Sequence, residues 1–139
     1  MRQQVQNLIR FAKEHAGDHQ SSLGWNSSVR YELSDRLLET QVAKMLSYRV
    51  VTMQAKGLVP NYEASITKLF ASELTQRIAR TGIKVAGLYG QLLPGSQHAP
   101  GKGRYGNSYM QTLGSTIAGG TSEIQRNIIA QRGLGLPRD

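Results

Sequence analysis

Two adjacent glycines, Gly119 and Gly120, stand directly ahead of the segment TSEIQRN, and here the sequence is best equipped to meet a ligand. Glycine lets the backbone approach a bound group closely, and the amides at a helix start carry partial positive charge. Such a turn suits a carbonyl oxygen, a phosphate or the electron-rich edge of a cofactor ring. A Gly-Gly pair before a helix is also the ordinary make-up of a turn, so the pair alone does not choose among these. Other chemistries are poorly served. The chain has no cysteine, which excludes disulfides, thiolate metal sites and cysteine nucleophiles. His15, His19 and His98 share no metal-ligand spacing, and no Ser–His–Asp order with a nucleophile elbow occurs. The loop HAPGKGRYG has the composition of a phosphate cradle but not the Walker pattern. It leaves Lys102 and Arg104 as candidates for a nucleotide or coenzyme contact, beside the plainer reading of a surface loop.

Charge adds one regional signal. The 139 residues carry a net charge of +8, and no acidic residue falls between Glu73 and Glu123. Arg77, Arg80, Lys84, Lys102 and Arg104 lie in that interval, so one stretch is uniformly positive. It suits a polyanion or a phosphate-bearing cofactor or substrate, or it is simply a basic solvated face. Tyr105 and Tyr109 near those charges do not complete any recognised RNA module, so nucleic acid is not expected as a partner. No run of 18 apolar residues is present, and the polar N-terminus lacks a signal-peptide core, so a cytoplasmic chain without a membrane span is expected.

The elements that must position the glycine turn read as helices. Val5, Leu8, Ile9 and Ala12 make one stripe over residues 3–15. A polar linker, GDHQSSLGWNSS, follows, with Trp25 its one large apolar group. Ser27 or Ser28 caps a long second helix reaching Lys56, about 43 Å at 1.5 Å per residue. Its Leu38, Val42, Met45, Leu46, Val50 and Met53 are helically spaced and are expected in the core, and Glu32 pairs with Arg36. Gly57 and Pro60 end it. Asn61 caps a third helix with Ile66, Leu69, Phe70, Leu74, Ile78 and Val85 inward, and Glu73 paired with Arg77 outside. Residues 87–108, rich in Gly and Pro, read as a loop. Helix-like residues 109–117 follow, then the glycine pair, then a last helix from Thr121 or Ser122 with a Ser122-x-x-Gln125 capping box, ended by Gly133. The fold class expected is all-α: an antiparallel four-helix bundle, up-down-up-down, with a short extra C-terminal helix, as one domain over 1–139.

The run from Thr116 to Arg138, TIAGGTSEIQRNIIAQRGLGLPR, resembles the closing motif of acyl-CoA dehydrogenases. Upstream, EASITKLFASELTQRIA (Glu63 to Ala79) resembles that family's third bundle helix. VAGLYG (Val85 to Gly90) stands where the family has its flavin-contacting turn. The resemblance covers residues 28–138, in the family's order and spacing. It implies the C-terminal helical domain of a flavoprotein that normally also has an N-terminal helical domain and a central β-barrel.

The activity so implied is α,β-dehydrogenation of an acyl-CoA substrate. A base takes the Cα proton while FAD takes a hydride from Cβ on the opposite side. Carried over by position, Lys84, Gly87 and Leu88 fall in the turn that contacts the flavin of an adjacent subunit. Thr121, Ser122 and Glu123 fall in the flavin-contacting segment, and Gly120 lies beside the substrate thioester. The resemblance also implies a homo-oligomer, or a hetero-oligomer with a related subunit. Two departures stand out. The commonest base slot is Gly119, which cannot accept a proton, and the alternative slot near the first helix falls at or before Met1. GDHQSSLGWNS replaces the family's Arg-x-x-Phe-Gly turn, leaving Arg30 or Trp25 as stand-ins by location. Glu123 sits in the first turn of the last helix, where it suits the dipole better than proton transfer. The isolated chain is therefore expected to be inactive, either as part of an enzyme or as a non-catalytic oligomerisation module.

Overall fold

The computed structural model describes residues 1–15 and 27–138. His19, Trp25 and the polar linker as far as residue 26 lie outside the described residues, whereas Ser27 and Ser28, expected to cap the second helix, are already its first helical residues. Every regular element among those described is helical: α1 Arg2–Glu14, α2 Ser27–Ala55, α3 Tyr62–Ala86, α4 Arg104–Ser115 and α5 Ser122–Ile128. Short 3-10 segments at Gly87–Gln91 and Pro100–Gly103 precede α4, and a π-type turn at Ile129–Gly133 follows α5.

Contacts radiate from α3, on which α1, α2, α4 and α5 all pack; α1 also touches α2. Helices α2 and α3 run antiparallel, because their ion pairs step in opposite directions: Glu32 with Lys84, Glu39 with Arg77 and Arg49 with Glu63. Gly57, at φ 72°, makes the turn between them, with the Leu58 amide bonding back to the Met53 carbonyl at 2.9 Å. Helices α3 and α4 are antiparallel as well, with Gly82 against Tyr105 and Gln76 against Thr112 and Thr116.

The core joins Val5, Leu8 and Ala12 of α1 to Val29 and Leu33 of α2, Leu74, Ile78 and Val85 of α3, and Tyr105 of α4. Each fully buried leucine among these contributes on the order of 1.5–3 kcal/mol. On α3, Leu74, Ile78 and Val85 are buried, whereas Ile66, Leu69 and Phe70 are half-buried.

Three expectations change. First, the α2 stripe is not core: Leu38, Val42 and Met45 are exposed and Leu46, Val50 and Met53 half-buried. Val29, Leu33, Thr40 and Ala43 face inward instead. Second, α4 begins at Arg104 rather than near 109. Gly106 signalled a loop, yet it is a helix residue in a tight approach, where a Cβ would stand 3.2 Å from the Gln91 carbonyl. Third, Glu32 pairs with Lys84 at 2.6 Å across helices, while Arg36 pairs with Glu39 at 2.9 Å. Glu73 and Arg77 approach to only 3.9 Å because both have better partners: Arg126 at 2.6 Å for Glu73 and Glu39 at 2.9 Å for Arg77. For Glu32, Glu73 and Arg77 the cross-helix partners win because they link elements that burial already holds together, whereas Arg36 pairs with Glu39 within α2.

Candidate functional site

The turn between α4 and α5 is strapped from three sides. The Ala118 amide bonds the Gly114 carbonyl at 2.9 Å, closing α4. Gly119 and Gly120 then take φ values of 69° and 96°, a backbone open mainly to glycine. Gln125 Nε2 donates to the Gly119 carbonyl at 2.9 Å, and Lys68 Nζ, from α3, donates to the Gly120 carbonyl at 2.5 Å. Gln76, also on α3, donates to Thr116 Oγ1 at 3.0 Å. Both glycine carbonyls are thus held while Gly119 faces solvent; a Cβ there would meet nothing within 4 Å. At Gly120 a Cβ would fall 2.7 Å from Gln125 Nε2, so the two glycines differ sharply in tolerance.

Thr121 is the cap of α5, accepting the Ile124 amide at 3.4 Å. The expected Ser122-x-x-Gln125 box does not form. Ser122 is already the first helical residue and buried, and Gln125 lies one position too far along, so its amide turns back to Gly119. Glu123 is exposed, and its carboxyl lies below the ordinary carboxylate range. The cause is first its own backbone amide, then the Thr121 hydroxyl, with Arg126 assisting against a small opposing effect of burial. A group held ionised this way is poorly matched to proton abstraction near neutral pH. The α5 amides are correspondingly less free than a bare helix start, since Thr121 and Glu123 occupy two of them.

Lys84, Gly87 and Leu88 lie at the far end of α3. Gly87, at φ 63°, ends the helix, its amide bonding the Lys84 carbonyl. The chain folds back so tightly that a Cβ on Gly90 would stand 2.6 Å from the Ile83 carbonyl. Leu88 is 77% exposed. Lys84 Nζ bonds Glu32 Oε2 at 2.6 Å. Burial opposes ionisation of Glu32, but Lys84, Thr81 and Arg36 outweigh it and hold its carboxyl below the ordinary value. Beside this turn an open groove of about 530 Å³ is lined by Arg80, Ile83, Lys84, Leu93, Tyr109 and Met110.

The sequence-predicted residues form two groups. Gly120, Thr121, Ser122 and Glu123 cluster at the head of α5 beside Lys68, and Lys84, Gly87 and Leu88 cluster 16 residues further along α3, about 24 Å at 1.5 Å per residue. Lys68 and Gln125 are the site residues that sequence reasoning missed. The usable signal for Lys68 was a cation set among Ile66, Leu69 and Phe70.

The basic stretch does not form a continuous cationic face. Arg77 and Lys84 are ion-paired, and Arg104 lies against Tyr105, 5.0 Å from the ring centre. Arg30 is exposed on α2. His15 stacks on Phe11, and His98 is exposed. No group of three or more His, Cys, Asp or Glu among the described residues could hold a metal ion. No helix among them is long and apolar enough to cross a membrane.

Compared with known proteins, residues 1–134 match the model of the acyl-CoA dehydrogenase C-terminal domain. The chain is 32% identical over 100 residues to "Acyl-CoA dehydrogenase IpdE1" of Mycobacterium tuberculosis, covering 72% of the chain and 25% of that protein. It is 32% identical over 113 residues to "Acyl-CoA dehydrogenase FadE26" of the same organism, covering 79% and 28%. Among solved structures, the ChsE4–ChsE5 complex from Mycobacterium tuberculosis is 28% identical, with a TM-score of 0.81 over 98% of this chain and 36% of that one. A steroid acyl-CoA dehydrogenase, Tcur3481–Tcur3483, shares the fold at a TM-score of 0.79 and 23% identity, covering 97% of this chain and 35% of that one. The chain spans about a quarter to a third of the length of these relatives.

Proposed function

The chain belongs to the acyl-CoA dehydrogenase family through its C-terminal domain, and from that premise we propose that it forms the helical wall of a flavin and acyl-thioester site. The observation supporting this reading is the glycine turn. Its Gly119 edge is bare and exposed, its carbonyls are held by Lys68 and Gln125, and a flat ring or thioester can approach without meeting a side chain. Those features fit FAD at this position.

The flavin, when bound, would accept a hydride from Cβ of the acyl-CoA. This chain's residues orient and screen. Gly120, Thr121, Ser122 and Glu123 place backbone against the ring and the thioester, and the ammonium of Lys68 adds positive charge behind the turn. Lys84, Gly87 and Leu88 reach a flavin carried by an adjacent subunit, with Arg80 and the neighbouring groove beside them. The base that removes the Cα proton comes from outside these residues, because Gly119 fills the usual slot and Glu123 is held as a tied anion. Loss of the two hydrogens leaves an enoyl-CoA.

The test is to mix the purified chain with FAD, a range of acyl-CoAs and an electron-accepting dye. The chain alone should give no turnover; turnover above background would refute the reading. Fusing it to the N-terminal and barrel domains of a relative such as IpdE1 should then restore flavin retention, and a fusion that folds but holds no flavin would equally overturn it.

Gly119 in the base slot also favours a second reading. Here the chain is a non-catalytic oligomerisation module, or a partner subunit that lends half a flavin site to a complete homologue. Co-purification with such a homologue, its activity rising on addition of this chain, separates that reading from the first.

A further inference from the structure

Between α1, α3 and α4 lies a cavity of about 170 Å³ that no residue of the two clusters above lines. Its floor is apolar and buried: Leu8 from α1, Ile78, Ala79 and Gly82 from α3, and the ring of Tyr105 from α4. Gly82 makes the room, since a Cβ there would stand 3.2 Å from the Tyr105 ring and 3.4 Å from Leu8. Water finds no hydrogen-bond partner on such a floor. An apolar cavity of about 150 Å³ stays dry and takes up benzene.

The mouth has the opposite character. Arg104 and Ser108 are exposed there and Asn7 is half-buried. Arg104 Nη2 donates to the Tyr105 hydroxyl at 2.9 Å, so the phenol proton itself has no acceptor among the described residues. Asn7 Oδ1 accepts from Gln3 Nε2 at 3.1 Å, which leaves the Asn7 amide nitrogen without a partner among them as well. The Ser108 hydroxyl makes no hydrogen bond to those residues, and no carboxylate among them pairs with Arg104. Thr75 and Thr112 also line the cavity, but their hydroxyls are spent on carbonyls of their own helices. No acidic residue lines it. Donors, one of them a cation, surround an apolar hole with nothing to accept from them.

We propose that this cavity binds a small carboxylic acid as its anion, the carboxylate held by Arg104 and the Tyr105 hydroxyl, with one ring or a short branched chain seated against Leu8, Ile78 and Gly82. A carboxylate matches the planar fork of a guanidinium. One cation balances one charge, whereas a phosphate dianion would leave charge uncompensated at the edge of an apolar space. A nucleotide is too large, since sites for drug-sized ligands start at about 300 Å³. The proposal does not depend on the flavin reading.

Titration of the full chain with benzoate, followed by heteronuclear NMR, tests it. Saturable shifts are expected at the amides of Gly82, Tyr105 and Ser108, with a Kd of about 1 mM for a ligand of about nine heavy atoms. Benzyl alcohol keeps the ring and acetate keeps the charge; each should bind about ten-fold more weakly or worse. Arg104→Gln should weaken benzoate about ten-fold, and Tyr105→Phe, which keeps the buried ring, about three-fold or more, both with helical circular dichroism unchanged. No saturation at about ten times the expected Kd, or benzoate binding unchanged in Arg104→Gln, overturns the proposal. So does benzyl alcohol or inorganic phosphate bound as tightly as benzoate.

Discussion

Replacing Gly120 by alanine, with Gly119→Ala as its internal reference, isolates what holds the glycine turn in shape. At Gly119 the φ of 69° costs an L-residue about 1–2 kcal/mol. A stiffer unfolded chain returns about 0.4–1 kcal/mol of that. Because a Cβ there meets nothing within 4 Å, the net loss is about 0.5–1 kcal/mol. At Gly120 the φ of 96° lies further from any side-chain-bearing minimum, a strain of about 1–3 kcal/mol. Its Cβ would also fall 2.7 Å from Gln125 Nε2, forcing that amide off the Gly119 carbonyl and losing about 1 kcal/mol more. With the same unfolded-state return of about 0.4–1 kcal/mol, Gly120→Ala nets a loss of about 1.6–3 kcal/mol. At about 3 °C per kilocalorie for a domain of this size, it should lower Tm by about 5–9 °C and Gly119→Ala by about 2–3 °C. Circular dichroism melts give the totals, and hydrogen exchange at the amides of residues 122–133 reports whether α5 is the part that loosens. Adding Gln125→Ala to Gly120→Ala should cost little further, since the bond is already broken. Equal losses at the two glycines, or a fully additive double variant, would refute the account of the turn.

Other expectations follow from single contacts. Glu32 has its folded pKa below the ordinary 4.5, so its contribution to stability is fully present above that pH and is lost as pH falls through the folded value. Lys84→Met should move the Glu32 carboxyl midpoint upward in an NMR titration; an unmoved midpoint would mean Lys84 is not its principal partner. Thr121→Ala should cost about 1 kcal/mol in urea unfolding through the lost cap, and should raise the midpoint of Glu123 as well. Leu74→Ala, at a fully buried position, should cost about 2–5 kcal/mol, and Leu38→Ala under about 0.5 kcal/mol in monomeric protein. Comparable losses at those two positions would put the exposed stripe back in the core.

The all-helical class and most helix limits were legible because each helix has a strong period and a clear stop. In α1, Val5, Leu8 and Ala12 make a single stripe and all three are buried. Gly57 and Gly87 end α2 and α3 where glycine is needed at positive φ. Helix α2 defeated the same method because it has two apolar stripes about half a turn apart. Periodicity announces a face but cannot say whether the covering surface lies in the same chain. The larger stripe, Leu38–Val42–Met45, looked more like core than the smaller Val29–Thr40–Ala43 face that α3 accepts. The start of α4 was hidden because Gly106 punctuates a loop in sequence while, in space, it only makes room for a carbonyl. At the site, the glycine turn and its Thr121 cap were legible from local order. Lys68 was not, since it meets Gly120 across 52 residues of sequence.

Helix α3 also sets a constraint on how the proposed site can work. Lys68 holds the α5 turn near one end of α3 and Lys84 opens the second cluster near the other, about 24 Å apart by helical rise. No single ring system spans that distance, so in the proposed reading the two clusters would serve different parts of a long ligand or different ligand molecules. At the second cluster, Lys84 would have to leave Glu32 before its ammonium could meet a phosphate, exchanging one anion for another at small net gain. The Gly87 backbone and the exposed Leu88 require no such release. In the proposed reading, shape and backbone at Gly87–Leu88 therefore do more of the binding than the lysine charge does. Lys84 instead ties the end of α3 to α2 through Glu32.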